Sequence, residues 1–174
     1  MSSFRLTLLG GALGFAGLLA FALAADPSKS DPATPAPLTA APAWKLKDLD
    51  GQPVDSAQFK GKVVVIDFWA TWCPPCRSDI PGYVDLQKKY GKEGLVIVGI
   101  SLDTVAPAEV KQFVTQNHMN YPVVMGDESV TVAFGGVEAI PTTFIVDRQG
   151  NIRYRKMGAE GEAAFEQRLL PWLK

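Results

Sequence analysis

Cysteine and histidine are scarce in this chain: 174 residues hold two cysteines and a single histidine, His118. Two cysteines exclude a disulfide-dense scaffold and a four-cysteine metal site. One histidine gives poor support to a Cys2His2 zinc site or a Ser-His-Asp triad. An excess of either charge is also missing, with 17 Lys and Arg against 18 Asp and Glu and a formal net charge of −1. Phosphate backbones are bound by a clear basic excess, so nucleic acid is not an expected partner. No internal repeat is present. Hydrophobic residues are plentiful at 47%, enough for a sizeable core and against wholesale disorder. The length suits one domain of ordinary size, or a small domain plus a leader.

Residues 1–25 read as an address. Arg5 is the only basic side chain ahead of an apolar run from Leu6 to Ala25, interrupted by Thr7. The run ends in Ala22-Leu23-Ala24, which fits the small-x-small rule for cleavage before Ala25. Its length of about 20 residues also approaches what a helix needs to span a bilayer. A cleaved signal peptide and an uncleaved anchor made of residues 6–25 both stay open, and either one exports the rest of the chain, with the periplasm as the expected compartment. Residues 26–43 then turn to Pro, Ala, Ser, Thr and Asp, with prolines at 27, 32, 35, 37 and 42. Such a stretch favours an extended, solvated spacer.

The folded domain is expected over residues 44–174. Val63 to Trp69 is a continuous apolar, β-branched run, as in a central strand buried on both faces, and Leu95 to Ile100 is a second. Thr143 to Val146 is a third, followed by the turn signal Asp147-Arg148-Gln149-Gly150 and a hairpin partner from Asn151 to Tyr154. Helical patterns lie between: from after Cys73 to about Tyr90, from Pro107 to His118, and from about Glu160 to the end. Strands alternating with helices imply an α/β fold, a mixed sheet with helices on both faces. Trp44 to Val54, with Asp50-Gly51 in the middle, reads as an added N-terminal hairpin.

Both cysteines fall in one C-x-x-C, Cys73-Pro74-Pro75-Cys76, where the strongest strand gives way to a helix. A bridge closing so short a loop restrains little of the unfolded chain, and a zinc site would need two further soft ligands. The motif therefore reads as reactive. Cys73 sits at the expected N-cap, where free amide hydrogens and the helix dipole stabilise a thiolate. Pro74 and Pro75 suit a first turn whose N–H groups have no partner anyway, and the first amide open to the Cys73 sulfur is that of Cys76. Cys73 is the expected nucleophile. Cys76, one turn deeper and less accessible, is expected to resolve the mixed disulfide.

Phe68-Trp69-Ala70-Thr71-Trp72-Cys73-Pro74-Pro75-Cys76 resembles the active-site segment of the thioredoxin superfamily, and more narrowly the exported TlpA/ResA/CcmG-like thiol–disulfide oxidoreductases. The resemblance covers nearly all of residues 44–174 and implies a thioredoxin-like fold. Pro81 matches the family's kink-forming proline in the active-site helix. Ile140-Pro141-Thr142 is similar to its cis-proline motif, and Gly158-Ala159 to its third substrate-contacting loop. The stretch from Asp103 to Ala139 is longer than in minimal thioredoxins, as in the exported subfamily with its central insertion. The residues this places against a substrate are Trp72, Pro74, Pro75, Ile140, Pro141 and Gly158.

Two carboxylates, Asp67 and Asp79, flank the cysteine motif in sequence. Asp67 interrupts an apolar strand six residues before Cys73 and matches the buried aspartate of thioredoxins, a candidate acceptor for the Cys76 proton. The competing reading has it pointing into a solvated cleft. Asp79 falls where ResA-like members usually carry a glutamate that tunes the cysteines. It is shorter by one methylene, and a plain solvated helix face explains it equally well. The resemblance implies a monomeric reductant of protein substrates with cysteine pairs, for example in cytochrome c maturation, recharged by a membrane electron donor of the DsbD/CcdA type. Neither cofactor nor metal is expected. A DsbA-like oxidant usually has a larger helical insertion and a histidine between the cysteines. A copper-delivering Sco-like protein spaces its cysteines one residue wider. A peroxiredoxin-like peroxidase needs threonine where Ala70 stands.

Overall fold

The computed structural model of the protein describes residues 39–174. The readings of residues 1–25 as a leader, and of the spacer up to Leu38, lie outside the described residues. Eight strands form one mixed sheet: β1 (Thr39–Ala40), β2 (Lys45–Asp48), β3 (Pro53–Asp55), β4 (Val63–Trp69), β5 (Leu95–Ser101), β6 (Val123–Met125), β7 (Thr142–Val146) and β8 (Asn151–Met157). Among the described residues four α-helices, besides two short 3-10 helices, accompany them: α1 (Pro74–Tyr90), α2 (Pro107–Gln116), α3 (Glu128–Ala133) and α4 (Glu162–Leu173). The sheet order is β1-β8-β7-β4-β5-β6-β2-β3. β5 runs parallel to β4 and to β6, and the remaining pairs are antiparallel. This is the mixed α/β arrangement expected from the alternation of strands and helices.

β4 sits at the centre because all seven of its residues are buried, which only a strand paired on both edges and covered on both faces satisfies. Its alternate side chains divide the core. Val63, Val65 and Trp69 pack with Ile80, Tyr83 and Leu86 of α1, Val110 of α2, and Phe165 and Leu169 of α4. Val64, Ile66 and Phe68 face Trp44, Leu46, Val130 and Phe134 on the other side. Parallel neighbours need long crossovers; α1 joins β4 to β5, and α2 lies between β5 and β6.

The structure moves several expected boundaries. Thr39 and Ala40, read as spacer, pair with Ile152 and Asn151 of β8, so the sheet starts ahead of Trp44. α2 stops at Gln116 rather than His118, because His118 has a positive φ of 52° that breaks the helical repeat. α4 begins at Glu162 rather than near Glu160. The central stretch after Asp103 carries α2, β6 and α3; of these, β6 and α3 are too short to show as periodic patterns. Both expected hairpins are present. In the first, Asp48 Oδ1 accepts from the amides of Asp50 and Gln52. In the second, Asp147 Oδ1 accepts from those of Gln149 and Asn151.

Candidate active site

Cys73 and Cys76 form a disulfide at the junction of β4 and α1. Cys73 is the N-cap of α1, with extended backbone (φ −92°, ψ 104°), and the prolines occupy the first two helical positions. Its Sγ accepts from the amide of Cys76 at 3.3 Å, and its carbonyl accepts from Arg77 N at 3.1 Å. When the pair is reduced, the same amide and the positive end of a 17-residue helix face a Cys73 thiolate. The two sulfurs differ in exposure in the expected order, but by little: Cys73 is 4% exposed and Cys76 1%. Trp72 beside them is 65% exposed.

Three loops frame the disulfide. The Ile140–Pro141 peptide bond is cis, and the Ile140 carbonyl oxygen lies 3.7 Å from Cys73 Sγ. Gly158 has φ +84°, a conformation that strains any residue with a Cβ, and its amide donates to the Pro141 carbonyl at 2.8 Å. The loop ahead of Cys73 is tied down by Asp103. That buried carboxylate accepts from Thr71 N at 3.0 Å, Thr71 Oγ1 at 2.6 Å and Ser101 Oγ at 2.8 Å. Sequence reasoning assigned no role to Asp103, since it and Thr71 are 32 residues apart and meet only through the β4–β5 pairing.

Beneath the helix the structure gathers a polar row. Asp67 is buried and pairs in register with Thr143 of β7, which pairs with Lys156 of β8. Thr143 Oγ1 donates to Asp67 Oδ1 at 2.9 Å and lies 3.1 Å from the Tyr83 hydroxyl. Tyr83 stands two turns after Cys76 on α1, so Cys76, Ile80 and Tyr83 share its buried face. The solvated-cleft reading of Asp67 is thereby corrected. Burial pushes its carboxyl up to about 7, against the opposing pull of the Thr143 hydrogen bond and the Lys156 charge. Burial also raises Tyr83, which stays a neutral hydroxyl.

Asp79 is not on a solvated face either. It is 7% exposed, and its Oδ2 accepts from Lys156 Nζ at 3.0 Å, with the Glu160 amide 3.3 Å from Oδ1. Burial moves its carboxyl above the usual range while Lys156 pulls it down. Lys156 went unnoticed in the sequence because β8 alternates weakly. It is the one buried residue of that strand, and its position opposite Thr143 is known only once the register is.

A helix-capping cysteine bonded to a second cysteine on the buried helix face, above a carboxyl that titrates near neutrality, is an arrangement able to support dithiol exchange. Comparison with known proteins agrees. The AhpC/TSA family matches residues 37–155. A thiol-disulfide oxidoreductase ResA of Bacillus thuringiensis is 33% identical over 129 residues, 74% of each chain. The crystal structure of a thiol:disulfide interchange protein of the thioredoxin family from Chlorobium tepidum is 36% identical, with a TM-score of 0.73 over 80% of this chain and 99% of that one. A second structure from Chlorobium tepidum, of a thiol:disulfide interchange protein DsbE, is 30% identical with a TM-score of 0.72, covering 78% and 96%. The chain therefore belongs to the AhpC/TSA family, with a thioredoxin-like fold, and is a thiol–disulfide oxidoreductase of the ResA/DsbE type.

Proposed function

We propose that this protein is an exported, monomeric reductant of disulfides in client proteins, such as cysteine pairs awaiting haem attachment in cytochrome c maturation. A membrane donor of the DsbD/CcdA type returns its electrons. The observation that carries the reading is the position of Cys73 Sγ, at the N-cap of α1 and beside the cis Ile140–Pro141 carbonyl. An extended client would lie along this carbonyl and Gly158, with Trp72, Pro74 and Pro75 as apolar contacts. The Cys73 thiolate attacks a client disulfide and forms a mixed disulfide. Cys76 gives its proton to the Asp67 carboxylate and attacks Cys73 Sγ. Two client thiolates leave, and the Cys73–Cys76 bond takes their place. Placement outside the cytoplasm, free or tethered by residues 6–25, rests on the leader reading.

The test is turnover of insulin or an apocytochrome peptide with a dithiol donor, together with the reduction potential of the couple. Cys73→Ser abolishes turnover, and Cys76→Ser accumulates the mixed disulfide. Full turnover by Cys76→Ser would overturn the two-cysteine mechanism. A potential well below the compartment's poise supports a reductant, and one near that of DsbA makes the protein an oxidant. Peroxide consumption that needs only Cys73 would replace the reading by a peroxidase.

A further inference from the structure

The buried row includes an ion pair, Lys156 with Asp79, that the exchange chemistry above does not use. Lys156 is buried in a strand whose other side chains are at least partly open. A lysine is almost never buried unless paired, and its partner Asp79 is buried as well, with the two side chains 6% and 5% exposed. Such a pair gains little stability over apolar residues of the same size, so stability alone is a weak reason for it. Its location is more informative. Asp67, Thr143 and Lys156 are successive cross-strand partners, so their side chains leave the same face of the sheet. Thr143 Oγ1 touches Asp67 on one side and Tyr83 on the other, and Asp79 closes the row from α1.

We propose that Lys156 is a positioning residue for the exchange: held at the end of the row by Asp79, its ammonium offsets the negative charge that Asp67 carries whenever it is ready to accept the Cys76 proton. The inference rests on the reading of Asp67 as that acceptor. The charge balance shows the need. Before resolution, Asp67 is a carboxylate in an apolar layer; afterwards it is a neutral acid, and its proton must leave before the next cycle. With Lys156 and Asp79 both ionised, the pair is neutral overall, yet each acts on Asp67 with opposite sign. The lysine favours the carboxylate and Asp79 opposes it. The other groups facing Asp67 do not supply a cation. Tyr83 on α1 and Tyr121 ahead of β6 are neutral, Gly99 of β5 has no side chain, and α4 presents Phe165 to the lysine. Asp79, Glu160 and Glu162 line a cavity of about 170 Å3 on the Asp79 side of the pair.

The test is a carbon-13 NMR titration of the Asp67 carboxyl in the reduced full-length protein, with the pH profile of mixed-disulfide resolution measured beside it. Lys156→Met moves both midpoints to higher pH, by about one pH unit. Asp79→Asn moves them to lower pH, because the lysine then acts on Asp67 unopposed. The double variant returns close to the parent, and Lys156→Arg stays with it. Midpoints that stand still in both single variants, or move the same way in both, overturn the proposal. Asp79→Asn and the double variant decide the matter should Lys156→Met fold poorly. A separate outcome tests the underlying reading: if Asp67→Asn resolves the mixed disulfide at the parent rate, Asp67 is not the acceptor, whatever the midpoints do.

Discussion

Removing the Asp67 charge should stabilise the protein by an amount that grows as pH rises from about 4 to about 7. In the unfolded chain its carboxyl titrates at 3.8, and in the folded protein burial holds it at about 7. Below the first value both states carry the proton and the group costs nothing. Between the two, the folded state binds a proton that the unfolded state has lost, so stability falls as pH rises. Above about 7 both are ionised, and the folded state bears the whole penalty. A displacement of about three pH units at about 1.4 kcal/mol each amounts to about 4 kcal/mol. Asp67→Asn keeps the acceptor for Thr143 Oγ1 and removes the charge, at a pH-independent cost of about 1–3 kcal/mol if its amide hydrogens find no partner. The assay is urea unfolding of the oxidised protein and the variant from pH 4 to pH 9. The variant's advantage should grow steadily from pH 4 and level off above pH 7. An advantage that is flat with pH, or that grows toward acid, would refute the claim that burial raises the Asp67 carboxyl to about 7.

Two further outcomes follow from the frame around the site. Asp103→Asn replaces an acceptor of three hydrogen bonds from Thr71 and Ser101, and should cost about 1–3 kcal/mol and speed hydrogen exchange at the Thr71 amide; unchanged exchange there would show that the loop is held by other contacts. Gly99→Ala places a methyl carbon 2.8 Å from Nε1 of the buried Trp69; the overlap should cost about 1–3 kcal/mol and shift Trp69 fluorescence, and a stability equal to the parent would mean the indole gives way freely.

The apolar runs at 63–69 and 95–100 were readable as buried strands because a central strand has no solvent face to alternate with. The N-cap role of Cys73 followed from the two prolines, which have no amide to offer and leave Cys76 N as the first donor. The short elements β6 and α3 give no periodic signal of their own and fold because β5 and the apolar face of the sheet receive them. The burial of Asp79 was not legible for a related reason. A carboxylate on a helix is exposed by default, and its burial here depends on a lysine from a strand 77 residues away.

The local code thus determined where chain direction and chemistry change: the strand-to-helix junction, the thiol at its cap, and the hairpin turns. These depend on neighbours a few residues apart, whose geometry the backbone imposes. Only the tertiary structure decided the company those groups keep. Strand register put Asp67, Thr143 and Lys156 in one row, and the packing of α1 over that row set Tyr83 and Asp79 against them. Electrostatic energies depend on distance and burial in space, and neither is written along the chain.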